Sequence, residues 1–229
     1  MRYEELNWLD VENYLQTDDR LMIVLGACEE HGYLSLLTDI KIPLALADAA
    51  SAQTGVLIAP PLNFGISPYF AKYPGTISLR TQTFLAVIAD IVRWVHAQGF
   101  RRLLFVNGHG GNNPATAVLA ELVNELPGLK VDWYAWWVAA SVQRVAGEAG
   151  LVGNHANWLE AFPFCRVAEM PEGVKPPTNA ARAILNADEA KATYGDGVFG
   201  GGPYVADEAV MQKLFDAAVA DIVEKLKFT

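Results

Sequence analysis

Two short, unbroken apolar runs, Leu21 to Leu25 (LMIVL) and Leu103 to Val106 (LLFV), each stop just before a glycine and a polar cluster that holds a histidine. Runs of that length with no polar alternation are the pattern of strands buried on both faces. Val56 to Ala59, ended by Pro60-Pro61, and Val131 to Trp137 read as two further strands. Helical candidates lie between them at 41–53, 82–98 and 113–126, with Pro114 early in the last, where proline is tolerated. Strands alternating with helices of this length predict βαβ units and a mostly parallel sheet, hence an α/β fold. Towards the end, Val210, Leu214, Ala218, Ile222 and Leu226 recur at helical spacing and predict a long amphipathic helix. The stretch 195–203 (GDGVFGGGP) is strongly Gly-rich, and no repeat or linker interrupts the chain.

With 229 residues, 52% of them hydrophobic, the chain can bury a sizeable core, and it is read as one domain over 1–229. Its 26 acidic against 17 basic residues give a formal charge of −9, which argues against nucleic acid or an anionic membrane as partner. The N-terminal stretch has no apolar signal core, and no run approaches the roughly 18 apolar residues a span needs. Two cysteines, Cys28 and Cys165, make no disulfide framework, so a cytoplasmic location is expected.

Three polar clusters carry the chemistry. The first is Gly26-Ala27-Cys28-Glu29-Glu30-His31-Gly32 with Thr38-Asp39 behind it, the second Asn107-Gly108-His109-Gly110-Gly111-Asn112, the third His155-Ala156-Asn157-Trp158-Leu159-Glu160. Two of them follow directly on strands, where α/β sheets place their ligands. Carboxylate oxygen with imidazole nitrogen suits Zn²⁺, Mn²⁺ or Fe²⁺ better than Ca²⁺. Glu29 and His31, two apart, share a face if the strand continues, or converge from a loop; Glu30 then faces away or supports the cluster from behind. Asp39 is expected in a short loop folding back over the same strand end, and His109 in a glycine turn that keeps bulk away. His155 and Glu160 diverge on an ideal helix, but a loop-to-helix junction aims both into one pocket. Glu29, Asp39 and Glu160 bring three negative charges beside neutral imidazoles, an excess that two divalent ions balance better than one. Such a pair activates water near neutral pH and polarises a carbonyl, and His155 is the candidate to protonate a leaving nitrogen.

These blocks resemble the creatininase (creatinine amidohydrolase) family. Its members share a Gly-x-x-Glu-Gln-His-Gly block followed by Thr-Asp, then Asn-Gly-His-Gly-Gly-Asn, then His-Ala-x-x-x-Glu. Phe70 to Arg80 (FAKYPGTISLR) is similar to the family's Phe-Pro-Gly-Thr-Ile-Ser-Leu segment, and the late Gly-rich stretch to its Gly-Asp-Pro stretch. The resemblance implies a three-layer α/β/α sandwich around a mostly parallel sheet, assembled as a homo-oligomer, commonly a hexamer. It implies that Glu29, His31, Asp39 and His109 bind metal with Asp39 bridging, that Glu160 lies at the metal centre as a ligand, and that His155 and Glu160 are catalytic. The implied reaction is hydrolysis of a C–N bond in a small cyclic or linear amide, served by two divalent ions, zinc and/or manganese, with iron(II) an option.

The chain also departs from the pattern. Glu30 replaces the usual glutamine, and Gly32 to Leu37 (GYLSLL) is one residue shorter than the common stretch and lacks its second histidine. Gly111 stands where creatininases carry a ligating glutamate, so either Glu160 supplies that ligand or the second metal is held weakly. Ala161-Phe162 replaces Thr-Ser, and a small amide or lactam other than creatinine is the expected substrate. Trp133, Trp136, Trp137 and Trp158 could wall a flat substrate, and the pocket is assigned to Trp158, Tyr33 and Trp136. His96, inside the 82–98 helix, reads as structural. Two other readings compete: a non-catalytic metal- or ligand-binding scaffold of the same fold, and a hydrolase using Cys28 as nucleophile. A small thiol at a strand end is the commoner role for Cys28.

Overall fold

A computed structural model describes residues 1–178, 180 and 182–229 of the chain. At its centre is a parallel sheet of four strands: β1 (Arg20–Leu25), β2 (Leu57–Ile58), β3 (Arg102–Asn107) and β4 (Lys130–Ala135), in the order β2-β1-β3-β4. The register aligns Leu21 with Leu103 and Leu25 with Asn107, so the two apolar runs end side by side.

Alternation along these strands sorts their side chains between two layers. Met22, Val24, Leu104, Val106 and Tyr134 face one layer, packed under helices α2 (Thr38–Thr54), α5 (Ala140–Glu148) and α7 (Glu208–Lys225). Leu21, Ile23, Leu25, Leu103 and Phe105 face the other, under α3 (Thr81–Gln98) and α4 (Ala115–Glu125), with α1 (Trp8–Tyr14) packed at its margin. Both faces are therefore dry, which is why the strands read as unbroken apolar runs and why the fold is an α/β/α sandwich. A late excursion adds a two-residue antiparallel pair, β5 (Val174–Lys175) with β6 (Gly202–Pro203), and the helix α6 (Ala187–Tyr194). No helix among the described residues is long and apolar enough to cross a membrane, and both cysteines are free thiols.

Three expectations need correction. The strand read as 131–137 stops at Ala135, because Trp136–Val138 turn into a 3-10 helix. The strand read as 56–59 is paired only over Leu57–Ile58. Asp39 is not in a loop: α2 begins three residues before the expected 41 and carries Asp39 in its first turn.

That last difference positions the site. Pro43 lies inside α2 and has no N–H to give the carbonyl of Asp39, which a regular helix would bond. The freed Asp39 oxygen presses against the two strand ends: a Cβ on Gly26 would lie 2.3 Å from it, and one on Gly108 2.0 Å. Glycine at both positions lets the first turn of α2 enter between the ends of β1 and β3. The Asp39 carboxylate is delivered there, beside both histidine clusters.

Candidate metal centre

The loop after β1 brings Glu29 and His31 to the C-terminal edge of the sheet, and both are almost fully buried. His31 Nδ1 lies 3.3 Å from the Glu29 carbonyl, which accepts its proton, so that Nε2 is the nitrogen turned towards the carboxylates. That Nε2 stands 3.0 Å from Asp39 Oδ1 and 3.7 Å from Glu160 Oε2.

The second cluster is built on its asparagines. Asn107, the last residue of β3, donates from Nδ2 to the His109 carbonyl at 2.7 Å and accepts from the His109 N–H at 3.2 Å, closing the turn. Asn112 donates to the Gly26 carbonyl at 3.0 Å and ties this turn to the end of β1. His109 Nε2 donates to the Ile66 carbonyl at 2.9 Å, which turns Nδ1 inward, 2.9 Å from Asp39 Oδ2 and 3.2 Å from Glu29 Oε1. A carbonyl holding the far nitrogen of each imidazole is the support that metal-bound histidines use.

Glu160 arrives on the 3-10 turn Trp158–Glu160, capped by Asn157, whose side-chain oxygen accepts from the Leu159 N–H at 3.1 Å. Ala156, just before it, takes a left-handed conformation (φ 59°), which costs ~1 kcal/mol or more in a residue with a side chain. In return its N–H meets Glu160 Oε2 at 2.6 Å.

The result is two triads that share one carboxylate. Glu29, Asp39 and His109 form one and His31, Asp39 and Glu160 the other, while Glu29, His31 and His155 make a third close group beside them; within each the donor atoms lie within 4.8 Å of one another. Glu29 Oε2, His31 Nε2 and Asp39 Oδ2 are buried without a hydrogen-bond partner. Buried polar atoms left unmatched cost about 1–3 kcal/mol each unless something else satisfies them. Imidazole nitrogens and carboxylate oxygens that converge at about 3 Å, each with a lone pair to give once the imidazoles are neutral, fit a donor set aimed at common cations. Among the described residues these three carboxylates have only histidines as cationic partners.

Electrostatics agree. Burial works against charge on His31, but Asp39 and Glu160 hold its imidazole well above its ordinary value. Burial likewise opposes charge on His109, and Glu29 and Asp39 override it. The Asp39 carboxyl, pushed up by burial, is held below the usual range by the two imidazoles. The cluster demands positive charge.

A cavity of about 760 Å³ opens over this floor, with Glu29, Asp39, His109, His155 and Glu160 lining it while His31 lies behind. The shortened segment 32–37 does not keep Asp39 from the centre, since it belongs to both triads. A Cβ at Gly111 would fall 2.0 Å from the Ile66 carbonyl and 2.4 Å from His109 Nε2, so no glutamate fits there on this backbone. Glu160 completes the His31 triad instead. Glu30, expected to face away or support, bonds His155 Nε2 at 2.9 Å.

The three pocket assignments are not met. Trp158 is fully buried in the core, its indole N–H bonded to the Val152 carbonyl at 2.9 Å, and Trp136 packs edge-on against Phe162. Tyr33 packs against Tyr204, away from the cavity. The rings that line it are Trp137, Tyr69, Phe70 and Phe199, with Ser67, Gln143 and Asn154 as polar neighbours. Trp137 is one of the four tryptophans that the sequence offers as pocket walls; Phe199 sits in the Gly-rich stretch and Phe70 in the segment before Arg80, where the motifs give neither ring a role. His96 bonds the Pro127 carbonyl at 3.0 Å, a structural contact. Burial raises the Cys165 thiol to about 12, and Cys28 Sγ bonds the Gly75 carbonyl.

The profile of the creatininase family, described as creatinine amidohydrolase, matches residues 4–226. The creatinine amidohydrolase of Pseudomonas putida is 32% identical over 116 residues, 48% of this chain and 45% of that protein. The mycofactocin precursor peptide peptidase of Mycolicibacterium smegmatis is 32% identical over 138 residues, 57% of this chain and 53% of its own. The chain thus spans about half the length of the curated relatives it matches. Two solved creatininases, one described as the Mn form and one as a Zn-Zn type, share the fold at TM-scores of 0.80 and 0.81 with 23% identity. Each alignment covers 97% of this chain, and 96% and 95% of theirs. Fold, cluster geometry and a profile running from the first turns to the last helix agree: this chain belongs to the creatininase family.

Proposed function

We propose that the protein is a metal-dependent amidohydrolase that cleaves the C–N bond of a small cyclic or linear amide. Glu29, Asp39 and His109 would hold one divalent cation, and His31, Asp39 and Glu160 a second, with Asp39 common to both. The observation that carries this reading is the shared Asp39 at the meeting point of two triads whose buried donor atoms lack other partners. The nitrogen and oxygen donor set suits zinc or manganese, with iron(II) compatible. Bound there, a cation pair lowers the pKa of water and polarises a carbonyl.

The remaining work falls to the chain itself. The Glu29 and Ile66 carbonyls keep the imidazoles of His31 and His109 in the tautomer that faces the floor. His155, beside the floor with Nδ1 3.8 Å from Glu29 Oε1, delivers a proton to the departing nitrogen. Trp137, Phe70 and Phe199 wall the cavity against water and offer flat apolar faces to the substrate. Among the described residues no lysine or arginine lines the cavity, so an amide without its own carboxylate is the better fit.

The test is metal content with hydrolysis across a panel of small lactams, formamides and anilides. Glu29→Gln and His109→Ala should each lose metal and activity together while circular dichroism stays unchanged. Full metal retention in both variants contradicts the assignment, and a metal-free, inactive wild-type protein would support a binding scaffold instead.

A further inference from the structure

Glu30 stands between two residues assigned to metal, yet its side chain turns to other partners. Oε1 accepts a hydrogen bond from His155 Nε2 at 2.9 Å, and Oε2 accepts one from the Gly32 N–H at 3.1 Å. Its backbone N–H is pinned by Thr76 Oγ1 at 3.0 Å. The residue is 5% exposed. Room for its carboxylate exists because residue 197 has no side chain: a Cβ on Gly197 (φ +91°) would lie 1.7 Å from Oε2.

His155 is confined just as closely. Its ring stacks on Phe70, centroids 4.7 Å apart and planes 16° from parallel, with Phe199 4.9 Å away at a tilt. Rotation about the ring axis is the freedom left, and the bond to Glu30 removes it. Nδ1 is then the nitrogen on the floor side, 3.8 Å from Glu29 Oε1.

We propose that Glu30 is a positioning residue for His155: by taking the proton on Nε2 it sets the ring's orientation and keeps Nδ1 directed at the cavity floor. The inference rests on the reading of His155 as proton donor. It also explains a carboxylate where the resembling block carries glutamine. Two donors, His155 Nε2–H and Gly32 N–H, converge on this group, and a carboxylate meets both with acceptors. An amide would set its NH₂ against one of them.

The test is proton–nitrogen NMR of the whole protein with ¹⁵N-labelled histidine, metal-free and zinc-loaded. Wild type should show a slowly exchanging imidazole N–H on His155 Nε2. In Glu30→Gln that signal should persist but move upfield, because a neutral acceptor makes a weaker bond than a charged one. In Glu30→Ala it should vanish while zinc content stays that of wild type. A proton found on Nδ1 alone, an unmoved signal in Glu30→Gln, or zinc lost in Glu30→Ala overturns the proposal; the last would make Glu30 a ligand. Should Glu30→Ala fail to fold, the near-isosteric Glu30→Gln still decides. Failure of the metal reading would show separately, as wild-type protein that binds no zinc while the metal-free spectrum is unaltered.

Discussion

His31 Nε2 and Asp39 Oδ1 stand 3.0 Å apart in a dry interior, and the imidazole nitrogen still has no hydrogen-bond partner. Asp39 repeats the relationship on its other side, with Oδ2 2.9 Å from His109 Nδ1 and equally unpartnered. One carboxylate thus joins two sets of donors, and removing its charge should be felt by both. Asp39→Asn is expected to lower metal from about two ions per chain to less than one. Metal analysis of the purified variant checks this, and two ions retained would remove Asp39 from its shared role.

Proton linkage gives a second expectation. Despite burial, neighbouring carboxylates raise His31 and His109 above the ordinary value of 6.5 in the metal-free protein. A folded-state pKa above the unfolded one stabilises the protein fully below pH 6.5, and that stabilisation is lost as pH rises through the folded values. A divalent cation needs both imidazoles neutral, so zinc binding should release about two protons near neutral pH. Apparent affinity should rise with pH over the same window. Calorimetry in buffers of different ionisation enthalpy measures the release, and binding without proton release would contradict the ligand assignment.

Gly111 offers a third. Its missing Cβ makes room for the Ile66 carbonyl, which holds His109 Nε2 at 2.9 Å. Gly111→Ala should force that loop away, at about 1–3 kcal/mol by analogy with overpacked sites, and weaken metal binding through His109. Denaturant unfolding and zinc titration of the variant report the two effects. Unchanged zinc affinity would mean that the Ile66 contact does not orient the imidazole.

The tryptophans separate packing from recognition. Trp158 is fully buried, and Trp158→Ala should cost about 3–5 kcal/mol of stability. Trp137 is half-buried and lines the cavity, so Trp137→Ala should leave stability within about 1 kcal/mol and weaken substrate binding. Thermal melts and KM for any amide found to be hydrolysed distinguish them. Equal destabilisation by both would place Trp137 in the core.

Much of the frame was legible because strands buried on both faces admit no polar residue, so Leu21 to Leu25 and Leu103 to Val106 stand out. The start of α2 was not. Its N-cap is Leu37, which offers no capping side chain to mark where the helix begins. The short helix α1 was missed although Asn7 and Asp10 form a reciprocal cap. Trp136, assigned to the pocket, goes into the core instead, because a 3-10 turn replaces strand alternation after Ala135 and sends its ring inward while that of Trp137 reaches the cavity.

What the sequence determined by itself is local: alternating strands and helices, glycines where backbones approach, and histidines and carboxylates collected at strand ends. Which imidazole faces which carboxylate is a matter of tertiary structure. Glu160 reaches His31, and Glu30 reaches His155 across 125 positions of sequence. Such meetings depend on how α2 wedges between two strand ends and how the late loop closes over them. Spacing along a chain constrains neighbours only within a turn or two of helix; beyond that, the packing of layers decides who meets.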